Sequence, residues 1–534
     1  MGLYIGLDIG TTSTKAFLYD EKGSIRGGSQ AAYPLLVPEA GRAEQRPEAL
    51  LDAVCDAIAG AMHDAGAAKG EISAVGISAA MHSLMAVDGK GNPLTPLITW
   101  ADNRSIRQAN ELRRGAEGER LYRATGTPIH PMSPLTKLLW LRSREPKLFE
   151  QAAKFISFKE YLLHKLFGRY ALDVSIASAT GMLDLNTLTW NQSTLQLTSL
   201  APERLGEIVP ITERFEGMDR MLAERMGLHP DTPWIAGASD GALANVGVGA
   251  LERGETAVTI GTSGAVRSFA KHPVTDVEGR TFCYAFEPER WLIGGPTNNG
   301  GIALRWYLEQ FVIDKEEGET GDLKEKEALD RIVQLADSVP PGSEGLLFLP
   351  YLSGERAPYW NADARGTYFG ATLHHGRAHF GRATMEGVLF AVRTVADALE
   401  TLGGESQTLW ASGGFAKSEI WTQMLADLSG TRVVVPDTYE ASAFGAAAVA
   451  MKADGAISDY QDLKAGIEIL RTHEPDLQRF YTYEHYYSLF KRVYKQLEPV
   501  FPEIAKLQRG TGVKHEDESG DDVLFPSPEE SNES

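Results

Sequence analysis

The chain has 534 residues, 43% of them hydrophobic and 23% charged, an ordinary globular composition at a length that calls for two or more hydrophobic cores. Its formal net charge of −20 argues against a nucleic-acid or anionic-membrane surface, and two cysteines, Cys55 and Cys283, support neither a disulfide framework nor a thiolate metal site. No uninterrupted run of about 18 apolar residues occurs, which speaks against a signal peptide or a membrane span and for a cytoplasmic protein.

Strand-like and helical stretches alternate along the chain. An apolar strand from Leu3 to Ile9, interrupted at Asp8, runs into Gly10-Thr11-Thr12-Ser13-Thr14-Lys15. A helix is expected from Ala49 to Ala65, then a strand from Ile72 to Ile77 ahead of Met81-His82. Pro96 to Thr99 lead into Trp100, Asp102 and Arg104, and a helix follows from Pro134 to Ser143. The strand Pro233 to Ala236 leads into Gly237-Ala238-Ser239-Asp240-Gly241. A short polar segment from Ala250 to Glu255 marks the best boundary. Beyond it the strand Ala257 to Ile260 delivers Gly261-Thr262-Ser263-Gly264. Helices at Ile302 to Phe311 and Phe380 to Leu402 precede the strand Thr408 to Ala411 with Gly413-Gly414, and the strand Thr431 to Val435 precedes a helix from Ala441 to Lys452. A tyrosine-rich helix from Gln478 to Leu497 then gives way, beyond Gly510, to Asp, Glu, Ser and Pro. Such alternation implies α/β layers. The division expected is 1–250, 255–455, a helical packing appendage at 456–508, and a disordered acidic tail at 509–534.

The same Gly/Thr/Ser turn thus follows a strand twice, half the chain apart. Such turns present backbone N–H groups and hydroxyls to a phosphate oxyanion, and two of them suggest related halves closing on one polyphosphate. Asp8 on an apolar strand would be costly to bury unpaired; Mg²⁺ or the backbone of its own turn would satisfy it. Asp240 ends a strand, where it would serve as a general base or as the cap of the helix that follows. Met81, His82, Trp100, Asp102 and Arg104 gather at two strand ends, a set of acceptors, donors and an aromatic wall suited to a polyol. Arg104 has the fork that fits a carboxylate. No Gly-Lys-Ser/Thr P-loop is present.

These elements, with Lys137-Leu138-Leu139-Trp140, Leu349 to Arg356 and Ser412 to Ser418, resemble the FGGY-family carbohydrate kinases over roughly Leu3 to Leu497. Within that family Trp100 to Arg104, Thr125 to Met132 and Gly294 to Gly301 are closest to the bacterial gluconokinase branch, with xylulokinases and other polyol kinases as the alternative. The resemblance implies a two-domain actin-like, ribonuclease H-like ATPase fold with a cleft, and transfer from MgATP to D-gluconate giving 6-phospho-D-gluconate. It implies Asp240 as general base and sugar ligand, and Asp8 at Mg²⁺. Thr11, Thr12, Lys15 and Thr262 would face the phosphates. Gly301, Arg305, Gly414 and Ser418 would lie by the adenosine, and Arg104 by the gluconate carboxylate, with His130 as a further donor. A homodimer is left open as the quaternary state.

Overall fold

The computed structural model describes residues 2–312, 322–437 and 440–510, with the side chains of 322–328, 509 and 510 excepted. The acidic tail expected at 509–534 therefore falls almost wholly outside the described residues.

Two sheets organise the chain. In the first, Leu3–Ile9 is central. It pairs antiparallel with Ser13–Asp20, which pairs antiparallel with Ile25–Ala32; on its other side it lies parallel to Ile72–Ala79, and that strand parallel to Trp234–Ser239. In the second, Glu255–Ile260 is central. It pairs antiparallel with Gly264–Ala270 and that strand with Arg290–Thr297; on the other side come Thr408–Ser412 and Arg432–Pro436, both parallel. Five strands recur in the same order and sense, so the duplication legible in the two turns is a duplication of whole sheets.

Helix ends follow local chemistry. The helix expected from Ala49 begins two residues earlier, at Pro47, because proline suits the first turn, and it stops where Gly66 takes a left-handed conformation (φ 60°). The helix expected at 380–402 runs from Arg377 to Gly403. Its apolar face, with Val388, Leu389, Val392 and Val395, fills the core of the second half.

One helix departs from the expected division. Ala441–Asp454 follows the second sheet in sequence, yet it packs on the first. A Cβ on Gly6 would fall 1.9 Å from the Ala443 carbonyl oxygen, and one on Gly76 would fall 2.0 Å from that of Ala446. Gly6 and Gly76 are paired in register, so together they form a groove that admits the helix backbone. The same helix crosses Asp240–Val248 at equal closeness: a Cβ on Gly247 would lie 1.9 Å from Ala441 O, and one on Gly445 2.1 Å from Leu243 O. These two helices join the halves directly beside Asp240.

The segment 456–508 is more than an appendage. Ile469–His473 extends the second sheet antiparallel to Arg432–Pro436, and the helix Leu477–Leu497 buries Tyr483, Tyr487, Phe490 and Tyr494 in the second core. Each such side chain contributes about 1.5–3 kcal/mol by burial.

Candidate active site

The two turns have the same hydrogen-bond logic. In the first, Gly10 N donates to Ser13 O (3.0 Å), and Tyr33 ties back the other carbonyls through its OH to Gly10 O (2.7 Å) and its N–H to Thr12 O (2.9 Å), while Gln45 Nε2 holds Thr11 O (2.6 Å). In the second, Gly261 N donates to Ser263 O (2.9 Å), Gly301 N to Gly261 O (2.7 Å), and Gly300 N and Ile302 N to Thr262 O (3.1 and 3.2 Å). With the carbonyls tied back, the N–H groups of Thr11 and Thr12, and of Thr262 and Ser263, donate to no acceptor among the described residues. Two sets of unused donors, one per half, are what a polyphosphate needs.

Asp8 stands at the end of the first central strand. Ser78 Oγ donates to its Oδ1 (2.6 Å), and its Oδ2 takes no bond among the described residues. Burial pushes its carboxyl up to about 6, with the charge of Asp240 adding to the rise and Ser78 and Lys15 pulling against it. No group of three His, Cys, Asp or Glu among the described residues could hold a metal by itself. One free carboxylate oxygen suits Mg²⁺ that draws its remaining ligands from phosphate and water.

Asp240 opens the helix Asp240–Val248, and Gly241 N donates to its Oδ1 (2.7 Å). Burial raises its pKa, opposed first by the guanidinium of Arg267 and then by Gly241 N–H and Lys159. Lys159 is fully buried behind it, its Nζ donating to Asp173 Oδ2 (2.7 Å) and to the carbonyls of Ala236 (2.8 Å) and Ala238 (3.2 Å). The strand end that carries Asp240 is thereby pinned.

Thr11, Gln45, Met81, Thr99 and Trp100 line one small pocket, and Trp100 Nε1 donates to Thr11 Oγ1 (2.9 Å), so the polyol side and the first turn touch. His82 is buried at φ 65°, a conformation rare outside glycine. Its Nδ1–H donates to Ala179 O (2.7 Å), and burial, helped by the cations of Lys137 and Arg356, lowers its pKa to about 3. His82 is therefore neutral and offers Nε2 as an acceptor. His130 is likewise held well below its ordinary value by burial and Arg356, with its ring 5.5 Å from that of Trp360 in the second half.

Several expected residues have partners within the chain. Arg104 already has two carboxylates: its Nε and Nη2 donate to Asp102 (2.8 and 2.7 Å), Nη2 also donates to Glu44, and the guanidinium lies 5.2 Å over Trp140. Asp102 is spent on Arg104 and on Ala43 N (2.7 Å). Arg104 and Asp102 are thus engaged with each other and with Glu44 and Ala43, which leaves Arg104 fewer donors for the substrate carboxylate expected there. Lys15 pairs with Glu440 (2.8 and 2.9 Å), at the head of the helix Ala441–Asp454. Gly301 serves the second turn, and Ser418 Oγ caps the helix Glu419–Ser429 by accepting from Trp421 N (3.2 Å). Gly413 needs its freedom, since at φ 91° a Cβ would fall 2.6 Å from Ile260 O; Gly414 beside it faces open space. Arg305 is exposed on the helix Gly301–Phe311.

Sequence reasoning missed the hub that ties together the loops expected to hold a polyol. Lys137 is fully buried, and its Nζ donates to the carbonyls of His82 (2.8 Å), Thr99 (2.8 Å) and Met132 (2.7 Å). One ammonium thus holds three loops in place, and burial lowers it to about 7. A lysine set among Leu135, Leu138, Leu139 and Leu141 was the available signal. Arg267 and Arg356 come up to the first half from the second, Arg267 beside Gly241 and Arg356 over the ring of Trp100.

Comparison with known proteins places this geometry. Residues 3–247 match the N-terminal domain, and residues 256–453 the C-terminal domain, of the FGGY family of carbohydrate kinases. A gluconokinase of Bacillus subtilis (strain 168) is 43% identical over 95% of this chain and 98% of its own length. Among solved structures, a gluconate kinase from Lactobacillus acidophilus superposes with a TM-score of 0.89 at 33% identity, covering 94% of this chain and 99% of that one. A ligand-bound xylulose kinase from the same organism superposes equally well, at 0.89 and 33%, covering 94% and 100%.

Proposed function

The chain belongs to the FGGY family of carbohydrate kinases, with that family's two-domain actin-like fold, and from that premise we propose that it phosphorylates D-gluconate with ATP to give 6-phospho-D-gluconate. One observation carries the reading: Asp240, at the head of a helix that meets Ala441–Asp454, lies within electrostatic reach of Asp8 ahead of the first turn and of Arg267 after the second. The resemblance to gluconokinases over nearly the whole chain supports gluconate as the acceptor.

Phosphoryl transfer of this kind asks the protein for positioning, charge neutralisation and a base. Asp240 accepts the proton of the substrate's 6-hydroxyl, and Arg267, Lys159 and Gly241 N–H favour its ionised form against burial. The N–H groups of Thr11 and Thr12 hold phosphate oxygens from one side, and those of Thr262 and Ser263 from the other. Asp8 would hold Mg²⁺ through its unused oxygen, and the ion would supply neutralisation of phosphate charge. Met81, neutral His82 and Trp100 orient the polyol, held in turn by Lys137. The adenosine lies on the second domain by Gly414, with Ser418, Gly301 and Arg305 around it.

An ADP-release assay across gluconate, D-xylulose, D-glucitol and glycerol tests the reading. Gluconate should lead in kcat/KM by tenfold or more; a tenfold preference for xylulose would replace it with the second reading, which the equally close xylulose kinase structure favours.

A further inference from the structure

With Arg104 committed to Asp102 and Glu44, the acid group of a sugar acid needs another receiver. We infer that it is received by two arginines of the second domain, Arg267 and Arg356, and that Arg267 sets the preference for a carboxylate over a neutral sugar end. The inference rests on the gluconate reading above.

Arg267 stands on the strand Gly264–Ala270, directly after the second turn, and comes up beside Asp240. Its one hydrogen bond among the described residues is long and goes to a neutral group, from Nη1 to Thr259 Oγ1 at 3.5 Å. No carboxylate among the described residues lies within ion-pair distance of it. The chain makes room for this guanidinium: a Cβ on Gly241 would fall 2.9 Å from Arg267 Nε, so any larger residue after Asp240 would displace it.

Arg356 lies further toward the polyol side. It is 9% exposed, its Nη2 donates to Thr297 O (2.9 Å), and its guanidinium sits 5.1 Å over the ring of Trp100. Its Nε is buried without a partner, and so are the Tyr284 hydroxyl and the Thr297 hydroxyl. These three of the eleven buried polar atoms left without a partner among the described residues lie together, which leaves a ligand or water to satisfy them.

The charges point the same way. Burial disfavours both guanidinium ions, and each lies within electrostatic reach of Asp240 or of the other. Arg356 is partly answered by its neighbour Glu355, whereas Arg267 has only Asp240. Asp240 must keep its lone pair for the substrate proton. Arg267 and Arg356 thus stand close together in a chain whose net charge is −20, with guanidinium donors that no carboxylate among the described residues takes up. The backbone N–H groups of the two turns already serve the phosphates, which leaves the carboxylate. A guanidinium meets a carboxylate in a paired geometry that no neutral hydroxymethyl end reproduces.

The test compares the affinities of gluconate and of D-glucitol, which carries an alcohol in place of the carboxylate, by calorimetry on the full chain. Wild type should favour gluconate. Arg267→Gln should shrink the gluconate-to-glucitol ratio by about ten- to a hundredfold, the worth of one charge-assisted bond, while Arg267→Lys should retain part of it. If Arg267→Gln does not fold, Arg267→Lys and Arg356→Lys carry the same readout. An unchanged ratio overturns the assignment. So does a fall in kcat with both affinities intact, because the anion served would then be the transferring phosphoryl group. Wild type that turns over gluconate with an unmoved ratio in the variants defeats the arginines alone; wild type that ignores gluconate defeats the gluconate reading and this inference with it.

Discussion

Replacing Asp8 by asparagine should make the unliganded protein more stable while it loses activity. In the fold the carboxyl titrates near 6, against an ordinary 3.8, chiefly because it is buried. Between those two values the folded state binds more protons than the unfolded state, so this group lowers stability as pH rises through the window. Above about 6 the penalty is complete. A rise of about two units corresponds to about 3 kcal/mol, trimmed to about 2 by the partial opening of the residue to the cleft. Asparagine mimics the protonated form, and its Oδ1 still accepts the Ser78 hydroxyl. Urea denaturation of wild type and Asp8→Asn at pH 8 should show the variant more stable by about 2 kcal/mol, with the gap closing as pH falls below 4. Adding MgATP should stabilise wild type much more than the variant, which lacks the anionic oxygen for the cation. A variant less stable than wild type at pH 8, or a gap of the same size at pH 4, would refute the reasoning.

Asp240→Asn should lower turnover by about 10²–10⁴ while leaving gluconate binding largely intact, because the amide keeps the shape and loses the basicity; calorimetry beside a turnover assay checks it, and turnover above a tenth of wild type would sink the base assignment. Arg104→Ala should act on folding rather than on ligand choice. It strands the buried carboxylate of Asp102 and the half-buried one of Glu44, a loss of about 3–5 kcal/mol, measurable as a lower urea midpoint, whereas the gluconate-to-glucitol ratio should hold. Gluconate and nucleotide together should draw the two domains closer about the segment Ala250 to Glu255; small-angle scattering should show a smaller radius, and an unchanged radius with both ligands bound would count against closure.

Much of this molecule could be read from local stretches. Leu3–Ile9 ends where its apolar run meets Gly10, and Glu255–Ile260 ends where its own meets Gly261, so both strands and both turns were legible within a dozen residues each. Asp8 and Asp240 stood out because each is a carboxylate at the tip of an apolar strand. Helices such as Ala441–Asp454 were visible through their composition, although not the sheet on which they pack.

Partners were not legible. Arg104 looked available because Glu44 lies 60 residues away, and Lys15 looked available because Glu440 lies 425 residues away. The pairing of Gly6 with Gly76, the three carbonyls on Lys137, and the room that Gly241 leaves for Arg267 all join segments that are remote in the chain. The sequence by itself determined the strands, the turns and the two carboxylates, because backbone preference and hydrophobic period act over neighbouring residues. Only the tertiary structure decided which charged groups are spent on one another and which still face the cleft. That outcome depends on burial and on the meeting of distant segments, and neither is a property of any short stretch.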